Sequence, residues 1–112
     1  MSAAYDRDKL VELFGDDPGT LAEIEREFFD TARDAACEMA ETDDFATIAR
    51  SAHRLKGASG MIGAETLQQI AEAIECSAKA GNLTGVRRME EPLRVEVLRV
   101  AEQAGLREPR ST

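Results

Sequence analysis

The chain has 112 residues, 43% of them apolar and 32% charged, with 22 acidic against 14 basic side chains and a formal net charge of −8. That length allows one hydrophobic core and not two, and the composition is that of a folded chain, not a disordered one. The acidic balance excludes the domain-wide basic face that nucleic acid would want, no apolar run approaches the roughly 20 residues that span a membrane, and the opening MSAAYDRDKLVE is no signal peptide.

Taken in order, Asp6 or Asp8 is placed to cap a short first helix whose apolar side is Leu10, Val11, Leu13 and Phe14, and Gly15 ends it. Asp17-Pro18 reads as the N-cap and first turn of a long second helix that runs to about Glu41. Its inner stripe is Leu21, Ile24, Phe28, Ala32, Ala35 and Met39, while Glu23, Glu25, Arg26 and Arg33 take the outer side. Thr42 to Asp44 start a third helix, expected to lose regularity between Gly60 and Gly63. Ala64-Glu65-Thr66 opens a fourth, with Leu67, Ile70, Ala71, Ile74 and Ala78 turned inward and Gly81 at its end. Asn82 caps a fifth, in which Leu83, Val86, Met89, Leu93, Val97, Val100 and Ala104 keep a three-four rhythm straight through Pro92. That proline leaves the carbonyl of Arg88 without its partner, so the spacing predicts a kink there and not a stop. The tail after Gly105, LREPRST, has no periodicity and is expected to fray.

Four long amphipathic helices joined by short loops predict an all-α, up-down-up-down antiparallel four-helix bundle, with the short first helix closing one end. One domain over residues 1–112 is expected, its ordered core at about 5–105, in a cytoplasmic monomer. The starting methionine and short tail are those expected of a free-standing protein, and an excised domain would look the same. Cys37 and Cys76 show no CxxC spacing and find no second histidine to complete a metal site, so no metal is expected and both read as buried or half-buried small residues. The methionines read as gap-fillers of an aliphatic core.

The third helix carries the chemistry. Residues 49–64 read ARSAHRLKGASGMIGA and hold His53, the single histidine of the chain. Ile48, Ala52, Leu55, Ser59 and Ile62 form the stripe that turns to the core, which puts His53 on the opposite face. Around it at helical spacings lie Ala49, Gly57, Gly60 and Ala64, a surface almost stripped of side chains, with Lys56 one turn along. Each glycine inside a helix costs roughly 0.5 to 1 kcal/mol against alanine. Two beside an exposed histidine predict close approach by another protein, with Met61 also at that contact. Between Asp44 and Glu65 there is no acidic residue, while Arg50, Arg54 and Lys56 are cationic. A small basic island in an acidic chain suits a phosphoryl group or an acidic partner site.

The run His53-Arg54-Leu55-Lys56-Gly57, with Gly63 beyond it, resembles the HxxKG(x)nG signature of histidine-containing phosphotransfer (HPt) domains, the shuttles of multistep phosphorelays. The Gly15-Asp16-Asp17-Pro18 turn, the long helix after it and the Gly81-Asn82-Leu83 turn also resemble that family, so the likeness covers roughly Tyr5 to Gly105. The resemblance implies that His53 is the phosphoacceptor, Lys56 its phosphate neighbour, Gly57 the space-maker and Gly63 the helix end. It implies response-regulator receiver domains and a sensor or hybrid histidine kinase as partners. The receiver would bring the aspartate and Mg²⁺, and this chain no cofactor of its own. Many members place an uncharged polar residue, often glutamine, on the next helix to hold the histidine or its phosphate. That position falls near Glu75 here, with Glu72 a turn before it and Gln69 earlier still, and any of the three is a candidate for the role. A carboxylate there would orient the imidazole but repel a phosphate.

An autonomous enzyme is disfavoured by the absence of a nucleotide loop, a triad or a paired acid and base. The remaining alternative is a helical interaction module that binds a receiver or kinase without carrying phosphate. The intact His-Lys-Gly set argues for the carrier.

Overall fold

The computed structural model describes residues 3–106, and these form six helical segments with no strand among them: α1 (Arg7–Phe14), α2 (Pro18–Ala40), α3 (Phe45–Met61), α4 (Glu65–Lys79), α5 (Leu83–Arg88) and α6 (Glu90–Ala104). Four of the six starts are capped by a side chain. The side chains of Asp6, Asp17, Asp44 and Asn82 accept the amide hydrogens of Lys9, Thr20, Thr47 and Gly85, satisfying a donor that an open helix end would leave orphaned. α2 packs on α3 and α6, α3 on α4, and α4 on α5 and α6, so the four long elements close a ring, and α1 lies against α2. This is the antiparallel four-helix bundle with a short extra N-terminal helix.

The inward stripes of α3 and α4 are buried as their spacing requires: Ile48, Ala52, Leu55, Ser59 and Ile62 face Leu67, Ile70, Ala71, Ile74 and Ala78. The turn between these helices is held by the start of the chain. Asp6 N–H donates to the carbonyl of Ile62, and the Lys9 ammonium to that of Gly60, 2.9 Å away. Gly63 has φ +70°, and a Cβ on it would lie 2.7 Å from that of Asp6, so the turn excludes any side chain on two counts.

Several sequence expectations are corrected. Glu25, placed outside by periodicity, is buried because the Tyr5 hydroxyl reaches across and donates to its carboxylate. Of the first helix only Leu10 is buried, while Val11, Leu13 and Phe14 are exposed, since an eight-residue helix laid on α2 has one residue's width of contact. The last helix divides at Met89, whose φ and ψ of −92° and −3° close a three-residue turn onto Val86. The break precedes Pro92 because the Arg88 carbonyl has no amide to receive, and Pro92 then lies in the first turn of α6, where the missing donor costs nothing. Both cysteines are exposed. Cys37 lies two residues from both Ala35 and Met39, about 200° round the helix from the stripe. Met39 is buried and Met89 half-buried as core fillers, but Met61 faces solvent. The tail expected to fray, from Arg107 on, lies outside the described residues.

Candidate functional site

α3 turns its apolar stripe inward, and His53 therefore stands outward with its side chain 70% exposed. Across the groove, α4 presents Glu75, whose side chain is 7% exposed and sits among three donors. His53 Nδ1 lies 3.0 Å from Glu75 Oε2, the Lys79 ammonium 3.1 Å from the same oxygen, and the Lys56 ammonium 2.9 Å from Oε1.

The two lysines hold the Glu75 carboxyl down at about 2, Lys56 contributing most through its hydrogen bond and Lys79 next. Glu75 is thus ionised at neutral pH and can only accept. The hydrogen between it and His53 must then sit on Nδ1, and in the neutral ring the lone pair is then on Nε2, at the far side. Reciprocally, the hydrogen bond to Glu75 raises the Lys56 ammonium above its ordinary value. Burial opposes that rise, and the nearby charges of Glu75, Glu72 and Cys76 add to it.

Ala49, Arg50 and Arg54 line the concavity that His53, Glu75 and Lys79 share. Gly57 opens onto empty space, with nothing within 4 Å of where a Cβ would stand. Gly60 does not: a Cβ there would lie 2.7 Å from the Gln68 amide nitrogen, so a side chain from α4 already fills that part of the expected bare patch. Ala64 is fully buried beneath the α3–α4 turn and contributes no surface, whereas Met61 is 57% exposed. Of the three candidates on α4, Glu75 meets His53; Gln69 faces solvent, and Glu72 acts at a distance through the charge of Lys56. Lys79 was missed. Its signal was present, since Glu75 and Lys79 stand four residues apart in the favourable acid-before-base order.

The family model for the Hpt domain matches residues 9–104. The chain belongs to the Hpt family. Hpt domains are phosphocarrier modules of phosphorelays rather than catalysts, and they interact with response-regulator receivers and kinases. Every residue of the His53 site lies inside the Hpt match. No curated protein matches. Among solved structures, the X-ray structure of a rice protein assigned as a histidine-containing phosphotransfer protein is similar, with a TM-score of 0.60 and 23% identity over 91% of this chain and 84% of that one. At that identity the likeness speaks for the Hpt fold alone. Among the described residues no helix is long and apolar enough to cross a membrane.

Proposed function

We propose that this Hpt domain takes a phosphoryl group onto His53 from a receiver aspartate or a kinase and passes it to another receiver aspartate. The observation that carries the reading is the exposed imidazole whose Nδ1 is tied to a buried, ionised Glu75, leaving Nε2 as the nucleophile.

The step balances without a base of its own. The Nε2 lone pair attacks phosphorus of an aspartyl phosphate, an N–P bond forms, and the acyl P–O bond breaks with its electron pair going to the receiver's carboxylate. Nδ1 keeps its hydrogen, so the ring becomes cationic with Glu75 3.0 Å away to hold it. The next receiver's carboxylate attacks the same phosphorus and the events reverse. Lys56, one turn from His53, meets the phosphoryl oxygens, a charge-assisted contact of about 1.5 to 3 kcal/mol. Gly57 leaves room for the receiver's active site, and Ala49 and Met61 flank the approach. The receiver supplies the aspartate and Mg²⁺, and this chain acts as a monomeric substrate and carrier.

Incubation with a phosphorylated receiver domain tests the reading. Wild type should gain phosphate labile to acid and stable to base, and His53→Gln should gain none. Receiver binding with no label on either protein would instead mark a pure interaction module.

A further inference from the structure

The phosphoryl group creates a conflict at Glu75. In the resting protein Lys56 is committed to Glu75 Oε1, yet it is also the cation one turn from His53 that a phosphoryl group would draw to itself. Placed between a carboxylate and a phosphoryl dianion, the ammonium is drawn toward the greater charge. Once Lys56 leaves, a buried carboxylate would face a phosphoryl dianion across the imidazole with its main partner gone, and two outcomes relieve it: Glu75 takes a proton, or it turns away from Nδ1.

We propose that Lys79 is a positioning residue that keeps Glu75 charged and bonded to His53 Nδ1 after Lys56 has moved to the phosphoryl group. The division of the carboxylate oxygens carries this. Lys79 lies 3.1 Å from Oε2, the oxygen that His53 Nδ1 also contacts at 3.0 Å, whereas Lys56 holds Oε1. The departure of Lys56 therefore strips the oxygen that orients nothing, and the oxygen that fixes the ring keeps its cation. Charge runs the same way. With one carboxylate between two ammonium groups the cluster is net positive by one, and without Lys79 it would be neutral before a dianion arrives. The other titratable groups around the cluster are Arg50 and Arg54 on α3 and Glu72 and Cys76 on α4, and Glu72 faces Lys56 and so adds to the need for a second cation. This role rests on His53 being the phosphoacceptor.

The test compares Lys79→Met, Lys79→Arg and Lys56→Met with wild type, using phosphoramidate as a small-molecule phosphoryl donor so that partner docking does not enter. Lys79 is 67% exposed, so its variants should keep the bundle, which a thermal melt checks. Two quantities are read: the half-life of the phosphohistidine, and the ¹⁵N signals of the His53 ring before and after phosphorylation. In Lys79→Met the resting ring should keep Nδ1–H, because Lys56 still holds Glu75. The phosphorylated ring should lose that signature, and the phosphohistidine half-life should fall on the order of threefold to tenfold at low salt. Lys79→Arg should restore both. A Lys79→Met phosphohistidine as long-lived as wild type overturns the proposal, and so does a ring that has already lost its tautomer at rest, since Lys79 would then act before any handover. Wild type that takes no phosphoryl group from phosphoramidate or from any receiver removes the carrier reading itself, and Lys79's role with it.

Discussion

Glu25 on α2 and Glu75 on α4 are the same residue type at nearly the same burial, 6% and 5% exposed, in opposite surroundings. Glu25 receives the hydroxyl of Tyr5, a neutral group brought in from the start of the chain. Burial, with the Glu25 carboxylate beside it, pushes that phenol well above its ordinary value, so the hydroxyl keeps its hydrogen near neutrality and goes on donating it. Glu75 receives two ammonium groups and an exposed imidazole. Burial alone thus does not mark a carboxylate as reactive; an ionisable, solvent-facing partner does. The Tyr5 pair closes one end of the bundle, and the Glu75 cluster arms its flank.

Removing each acid's function separates the two. Glu75→Ala should slow phosphotransfer about 10- to 100-fold, the weight of one hydrogen bond to a charged group, because the ring loses its fixed tautomer. Its melting temperature should move little, since Lys56 and Lys79 reach water. Glu75→Gln sharpens the point: an amide oxygen still accepts from Nδ1 but holds no charge, so a rate between wild type and alanine would divide orientation from electrostatics. Tyr5→Phe should do the reverse. It leaves a buried carboxylate without its donor at a cost of about 1 to 3 kcal/mol, and each kcal/mol lowers the melting temperature of a chain this size by roughly 4 to 8 °C. Phosphotransfer per folded molecule should be unchanged. A Tyr5→Phe variant that relays slowly at temperatures where it is folded would break the comparison.

What was legible followed from local rules. The stripe of α3, the caps at Asp17, Asp44 and Asn82, and the spacing of His53, Lys56 and Gly57 all depend on residues within a turn or two of each other, where 3.6-residue periodicity and capping chemistry decide. What was missed depends on a second segment. Nothing near Glu25 announces Tyr5, which is 20 residues away, and nothing in α3 announces that Gln68 fills the space above Gly60. Glu75 stood among three candidates until the pairing of α3 and α4 set which turn of α4 faces His53. Lys79 then follows from Glu75, but not before it.

The two glycines beside His53 show the same contrast on a smaller scale. Gly57→Ala meets nothing within 4 Å and gains helix propensity, so it should stabilise the fold by about 0.5 to 1 kcal/mol. Gly60→Ala must push Gln68 aside, so it should gain less or lose stability, as paired thermal melts would read. A leucine at Gly57 should slow receiver-dependent transfer while leaving phosphoramidate labelling intact, because only the receiver needs the open face. Equal slowing with both donors would place the fault in the imidazole and not in docking.

The smallest effect lies in acid. The Glu75 carboxyl is lowered from 4.5 to about 2 in the fold, chiefly by Lys56 and then by Lys79, so the folded state binds its proton less tightly than the unfolded chain does. Such a group adds stability that is fully present above pH 4.5 and drains away as the pH falls through about 2. The difference in unfolding free energy between wild type and Glu75→Gln should accordingly be flat from pH 7 to about 5 and then shrink across that window. Partial exposure of Lys56 and Lys79 lets water screen the cluster, which keeps the change small and makes it fade in high salt. A difference that stayed constant down to pH 2 would mean that Glu75 is not held by its lysines in solution. The tautomer of His53 would then need another cause.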